Sequence, residues 1–249
     1  EIAPKKSDDT VLVVGAGPAG LECARALGAR GYQVHLAEAG RELGGRVARE
    51  CRLPGLAEWG RVRDWRVGQI AKLSNVEVYR ESRLTAEDVR NFGFNRVVIA
   101  TGSRWRKDGY GRTNYYPIPG TDAGHVYTPD DMMDGKMPEG PVIVFDDDQY
   151  YMGSVVAEML AAAGRKVTIV SAAAEISAWS FATMETKYVA KRLSDAGIEM
   201  LTHHNLVTES FANWTATGTP TITSGAVTAG DLTTLDLIAS TLYLASRYE

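Results

Sequence analysis

The chain has 249 residues, 45% of them hydrophobic and 23% charged, with a formal net charge of −4, the balance of a soluble globular protein with one large or two ordinary domains. The small charge of mixed sign argues against a nucleic-acid surface or an anionic-membrane surface, and no apolar stretch reaches the roughly 18–20 residues of a membrane span. Two cysteines, Cys23 and Cys51, fit a reducing, cytoplasmic compartment better than a disulfide scaffold.

Residues 1–9 lack an initiator Met and a signal-peptide core and are polar with one Pro, so they read as a linker and the chain as part of a longer one. A β-branched run at 10–14 predicts a strand, Ala and Leu at helical spacing over 19–29 predict a helix ended by Gly31, and 33–38 predicts a second strand. Residues 41–52, with Gly44 and Gly45, read as a loop. A charged helix is predicted at 59–73, a strand at 76–79, and a helix at 85–91 with Thr85 as N-cap and Asp88 in its first turn. The strand at 96–100 closes on Thr101 and Gly102.

After a turn-rich region, 141–145, 150–163 and 166–170 repeat the strand-helix-strand order, followed by a helix at 184–196 and a strand at 198–201. The Thr/Gly-rich stretch 213–234 reads as short antiparallel strands, and 236–245 as a last apolar strand. Two β-α-β units about 130 residues apart predict an α/β protein of two doubly wound, Rossmann-like domains. The first is expected to span 8–136 plus 235–249 and the second, inserted into it, 137–234, with the last strand returning the chain to the first domain.

Chemistry is carried by the first unit. An apolar strand runs directly into Gly15-Ala16-Gly17-Pro18-Ala19-Gly20 and then into a helix. In this G-x-G-x-x-G turn, Gly15 allows a tight bend, Gly17 lets a pyrophosphate approach the backbone, and Gly20 lets the helix pack close to the strand. Free N–H groups and the positive end of the helix dipole then favour an anion without a Lys or Arg. Glu38, 18 residues after Gly20 at the end of the second strand, is placed to accept hydrogen bonds from ribose hydroxyls and would repel a 2′-phosphate.

The second unit departs from this pattern. Its strand leads into Asp146, Asp147 and Asp148, and only Gly153 keeps a helix-packing place. Three carboxylates would then face the pyrophosphate position, where two unit charges about 4–5 Å apart repel by roughly 3–4 kcal/mol at an effective dielectric near 20. This unit is expected to keep the dinucleotide fold without the dinucleotide function. Consecutive acids rarely converge on one ion, and the neighbours His203 and His204 would point to opposite faces of a strand, so no metal site is expected. Trp59 and Trp65, six residues apart, are packing residues or an exposed docking surface.

Several motifs occur in order: the segment 13–20, Gly44-Gly45-Arg46, residues 53–59, residues 98–104, Pro117-Ile118-Pro119-Gly120, and the acidic run through Gly153. Together they resemble the C-terminal half of the trimethylamine, dimethylamine and histamine dehydrogenases, relatives of the 2,4-dienoyl-CoA reductases of the old yellow enzyme group. The resemblance covers nearly the whole chain up to about residue 210. It implies an upstream (β/α)₈ barrel carrying FMN and a 4Fe–4S cluster, followed by two domains like the FAD and NADPH domains of glutathione reductase.

In the amine dehydrogenases the first of these domains is expected to hold ADP, electrons leave through the cluster to an electron-transferring flavoprotein, and the full-length protein is a homodimer. In the reductases the same domain holds FAD and the second receives NADPH. The acidic run favours the amine dehydrogenase side. The cofactor-binding set expected for ADP (or FAD) is Gly15, Gly17, Pro18, Ala19, Gly20, Glu38, Ala39, Gly45, Arg46, Thr101 and Gly102. No catalytic residue is assigned, because amine oxidation would belong to the barrel. The alternatives are an FAD- and NAD(P)H-dependent reductase of the dienoyl-CoA type, and a non-catalytic module in which ADP stiffens a domain that docks a partner.

Overall fold

The structure, a computed structural model, describes residues 2–122 and 124–206 and the backbone of the strands at 221–223, 226–228, 236–239 and 241–243. The chain divides into two units, Glu1–Gly102 and Ser103–Glu249. The first runs β1 (Thr10–Val14), α1 (Pro18–Ala29), β2 (Gln33–Ala37), α2 (Arg46–Glu50), α3 (Gly60–Ile70), β3 (Val76–Tyr79), α4 (Ala86–Asn91) and β4 (Arg96–Ile99).

The four strands of this unit form a parallel sheet in the order β3-β2-β1-β4. Val11, Leu12 and Val13 are all buried, as expected of a parallel strand covered on both faces. Val11, Val13, Val34 and Leu36 meet Leu21 and Ala24 of α1 and Ile70 of α3 in one core. Full burial of a side chain such as Leu21, at 0% exposure, contributes about 1.5–3 kcal/mol. The chain moves outward from β1 to β2 and β3, then crosses back to β4 on the other side of β1. The carboxyl end of β1 is therefore the point where the strand order reverses, the place where open α/β sheets bind ligands.

The helix at α4 starts as its sequence indicates. Thr85 Oγ1 accepts from the Asp88 N–H at 3.2 Å and Asp88 Oδ2 accepts from the Thr85 N–H at 2.7 Å, a reciprocal cap. The segment read as a loop at 41–52 instead contains the short helix α2. Gly44 and Gly45 turn the chain into it, and Ala48 and Glu50 anchor it by burial.

The second unit comprises β5 (Arg104–Arg106), β6 (Val126–Tyr127), α5 (Pro129–Met133), β7 (Val142–Phe145), α6 (Met152–Ala162), β8 (Val167–Val170), α7 (Thr186–Asp195), β9 (Glu199–Leu201), β10 (Thr221–Thr223), β11 (Ala226–Thr228), β12 (Asp236–Ala239) and β13 (Thr241–Tyr243). Its main sheet has the order β6-β12-β7-β8-β9, parallel throughout, and β10 and β11 form the antiparallel pair expected in the Thr/Gly-rich stretch. The rest of that stretch lies outside the described residues.

Two features differ from the sequence expectation. Residues 103–136 group with the second unit instead of the first, and β12 pairs with β6 and β7 instead of returning to the first sheet. The backbone explains both, because β13 pairs antiparallel with β5 and β6 needs β12 as its neighbour. An apolar run announces that it needs a covered parallel slot, but not which sheet supplies it. The turn-rich region also hides α5, whose Thr128 and Asp131 form a second reciprocal cap with Pro129 at the first helical position.

Candidate functional site

At the carboxyl end of β1 the three glycines have separate jobs. Gly15 has φ +99°, and a Cβ there would lie 2.4 Å from the Ala100 carbonyl oxygen. A Cβ on Gly20 would lie 1.8 Å from the Gly15 carbonyl oxygen. Both glycines are therefore demanded by the chain's packing on itself. Gly17 is not: a Cβ there would meet nothing within 4 Å, so its bareness serves whatever approaches from outside.

Gly17 precedes α1 with no side-chain cap, and Pro18 takes the first helical position. The helix ladder begins at the Leu21 N–H, which donates to the Gly17 carbonyl at 2.9 Å. The N–H groups of Ala19 and Gly20 precede that bond, as do the first donors of any α-helix. Exposed Ala19 leaves that end open.

Glu38 closes one side. Its Oε2 accepts from the Ala16 N–H and its Oε1 from the Gly40 N–H, both at 2.8 Å. A carboxylate offers roughly four lone-pair sites, so the ribose role expected of Glu38 is compatible with this second duty of shaping the glycine turn. Glu38→Gln retains one acceptor and turns an amide donor toward the other N–H. ADP affinity is expected to fall about tenfold in calorimetric titration, the equivalent of one hydrogen bond of about 1.4 kcal/mol.

The second glycine pair closes the other side. The Gly44 N–H donates to the Ala16 carbonyl at 2.8 Å, and a Cβ on Gly45, at φ +52°, would stand 3.0 Å from Gly17 Cα. Arg46 opens α2 with Nη1 at 3.4 Å from Oε1 of buried Glu50. Thr101 Cα lies 3.1 Å from the Cβ position of Gly15. The structure thus brings Gly15, Gly17, Gly20, Glu38, Gly45 and Thr101 into one cluster. Ala39 and Gly102 are exposed beside it. Ala16, Gly40 and Gly44 were not in the expected set, although each supplies a backbone group that shapes the turn. Their signal was adjacency to the glycines.

The acidic turn of the second unit occupies the corresponding place, after β7 and before α6, and corrects the expectation that its carboxylates face a pyrophosphate. Asp146 is fully buried, with Oδ2 accepting from the Ser177 N–H at 2.8 Å and Oδ1 from the Gln149 N–H at 3.1 Å. Burial, opposed by the Ser177 N–H and reinforced by the charge of Asp148, pushes its carboxyl up to about 7. Asp147, 2% exposed, accepts from the N–H groups of Arg112 at 2.7 Å and Thr113 at 2.8 Å. Burial also raises Asp148, opposed by its hydrogen bond from the Met152 N–H. The acids turned inward because backbone N–H groups of surrounding loops and of the start of α6 were available to them, a tertiary fact that composition does not carry. Gly153 does keep its packing role, since a Cβ there would lie 2.6 Å from Asp146 Oδ1.

Of the tryptophans, Trp65 is 53% exposed and Trp59 is half-buried. Among the described residues no helix is long and apolar enough to cross a membrane.

The family model for pyridine nucleotide-disulphide oxidoreductases matches residues 9–213. The chain belongs to this family. Within this oxidoreductase family, its relatives are those of the trimethylamine, dimethylamine and histamine dehydrogenases. It is 41% identical over 206 residues to dimethylamine dehydrogenase from Hyphomicrobium sp. (strain x), a match covering 80% of this chain and 28% of that protein. Histamine dehydrogenase from Rhizobium sp. 4-9 superposes with a TM-score of 0.87 and 42% identity over 99% of this chain and 36% of that one. The 6-hydroxypseudooxynicotine amine oxidase of Pseudomonas geniculata N1 gives a TM-score of 0.82 and 48% identity over 84% of this chain and 32% of that one. The oxidoreductase chain described here thus spans about a third of the length of these relatives.

Proposed function

We propose that the first unit holds the ADP part of a nucleotide, and that the chain is the nucleotide-binding portion of an iron–sulfur flavoprotein amine dehydrogenase. The observation that carries this reading is the open face of Gly17 at an uncapped helix start, between Glu38 and Gly45. A diphosphate meets the Ala19 and Gly20 N–H groups and the helix dipole there. The ribose hydroxyls donate to Glu38, whose charge disfavours a 2′-phosphate. The whole protein oxidises a small amine in the cytoplasm and passes electrons to an electron-transferring flavoprotein. FMN and a 4Fe–4S cluster supply the redox chemistry from a barrel outside this chain, the full-length protein is a homodimer, and the ADP here is structural.

Nucleotide released by denaturing the purified protein is expected to show an adenine absorbance band alone. A flavin spectrum would overturn the ADP assignment. It would favour the second reading that the family match supports, an FAD-dependent reductase of the dienoyl-CoA type fed by NAD(P)H.

Trp65 supports the assignment of a redox-partner surface. Its ring is exposed on α3, with the guanidinium groups of Arg25 and Arg66, both ion-paired with Glu22, at 5.3 and 5.7 Å from its centroid. An exposed aromatic face held in place by its neighbours suits a protein interface. Trp65→Ala in the full-length protein is expected to weaken flavoprotein binding more than tenfold, as loss of an aromatic anchor does, with the released nucleotide unchanged. Unaltered binding would remove the surface from the proposal.

A further inference from the structure

The family to which the chain belongs is named for pyridine nucleotides, and in the second unit the place for one would be the carboxyl end of β7, where the strand order reverses toward β8 on one side and β12 on the other. The residues present do not fit such a ligand. We infer that the second unit carries its own acceptors there: the carboxyl groups of Asp146, Asp147 and Asp148 take the backbone N–H groups that a pyrophosphate would need, and the crevice is closed by the chain itself.

Each acid meets two such groups. Asp146 takes those of Gln149 and Ser177, Asp147 those of Arg112 and Thr113, and Asp148 those of Tyr150 and Met152, its buried Oδ2 having no hydrogen-bond partner among the described residues. Met152 is the first residue of α6, so Asp148 stands where the helix dipole favours a negative charge. Nucleotide-binding turns present such donors to a ligand phosphate. Here the acceptor is built in.

Two further segments are drawn over the strand ends by these bonds. The loop carrying Arg112 and Thr113 is held by Asp147 and, through Asn114, by the side chain of Asn205, with Nδ2-to-Oδ1 distances of 3.2 and 3.0 Å in the two directions. The segment after β8 is held by Ser177 on Asp146, and by the His203 and His204 N–H groups donating to the carbonyls of Ala173 and Ser171 at 3.0 and 3.1 Å. Arg112 lies over the Trp179 ring at 4.9 Å, and the Trp179 N–H donates to the Gln149 carbonyl at 2.7 Å. The turn is also longer than its counterpart, with seven residues from Asp146 to Gly153 against five from Gly15 to Gly20. Those extra residues give the carboxylates room to fold back beneath α6.

The test follows backbone amide resonances in the ADP-saturated full chain, so that the first unit is occupied in every sample. In the wild type, millimolar NADPH or inorganic phosphate is expected to leave Arg112, Thr113, Gln149, Tyr150, Met152 and Ser177 unshifted, and the Arg112 and Thr113 amides to exchange at least ~100-fold slower than an open loop. Asp148→Ala frees the start of α6 beside Arg112, and phosphate is then expected to shift Tyr150 and Met152. Wild-type shifts with NADPH, fast exchange at Arg112 and Thr113, or an Asp148→Ala protein as silent as the wild type would each overturn the inference. If Asp148→Ala loses the second unit's resonances, Asp148→Gly, which likewise removes the side-chain acceptor, is read by the same two outcomes.

Discussion

Gly17→Ala and Gly20→Ala are expected to fail in opposite ways. Gly20→Ala drives a methyl group to 1.8 Å from the Gly15 carbonyl oxygen and 3.3 Å from Ala100 Cβ. Neither neighbour is a flexible side-chain end, so the start of α1 must leave β1. A cost of about 3 kcal/mol or more is expected, a large part of the stability of a domain this size, and urea unfolding of the first unit should shift accordingly. Gly17→Ala meets open space, and its backbone at φ −70° and ψ −177° is ordinary for any residue. Its stability cost is that of an alanine N-cap, about 1 kcal/mol. ADP binding is where it should fail, because the methyl group stands where the diphosphate would approach the helix start. Losing about 3 kcal/mol of charge-assisted contact weakens binding roughly 100-fold.

The second large effect concerns pH. The Asp146 carboxyl is raised from 3.8 to about 7, first by burial, so between those values the folded second unit holds a proton that the unfolded chain has released. The folded state binds more protons across that window, and stability must fall as pH rises through it. The stabilisation is fully present below about pH 4 and gone above about pH 7, with a total on the order of 4 kcal/mol at 1.36 kcal/mol per pH unit. Asp148, raised mainly by burial, acts in the same direction. Asp108, held below its ordinary value by its hydrogen bond from Arg106, acts in the opposite sense, and its contribution is lost as pH falls below about 4. The groups around Asp146 are the Ser177 and Gln149 N–H groups, the Ser171 hydroxyl on its carbonyl, and the neighbouring acids Asp147 and Asp148. Urea midpoints of the second unit are expected to drop steadily from pH 4.5 to 7.5. In Asp146→Asn, which has nothing to titrate, most of that slope should vanish. A wild-type midpoint that rises over the same range would contradict the burial of a protonatable acid at this position.

The residues that fix local geometry were legible before the fold was known. Strand, glycines and helix at 10–29 specify their own conformation, because a missing Cβ, a proline and an apolar period each act within a few residues. Thr85 with Asp88 announced α4 by the same logic. Thr128, Pro129 and Asp131 carried an equally clear signal for α5 that the surrounding turn residues obscured. What was not legible depends on distant partners. Gly45 reaches Gly17 only because Gly44 bonds to Ala16. The strand at 236–239 could have completed either sheet on its sequence alone. Asp146, Asp147 and Asp148 read as exposed repulsion, but backbone N–H groups from 112–113, 149–152 and 177 made them buried acceptors.

The most direct measurement is an ADP titration of nucleotide-stripped protein, read at the backbone amides. Saturable shifts are expected at Gly17, Ala19, Gly20 and Gly45, with Ala16 and Gly40 following as Glu38 engages the ribose, and with the second unit silent. ADP binding that left the amides of Gly17, Ala19 and Gly20 unmoved would contradict a diphosphate seated on the start of α1.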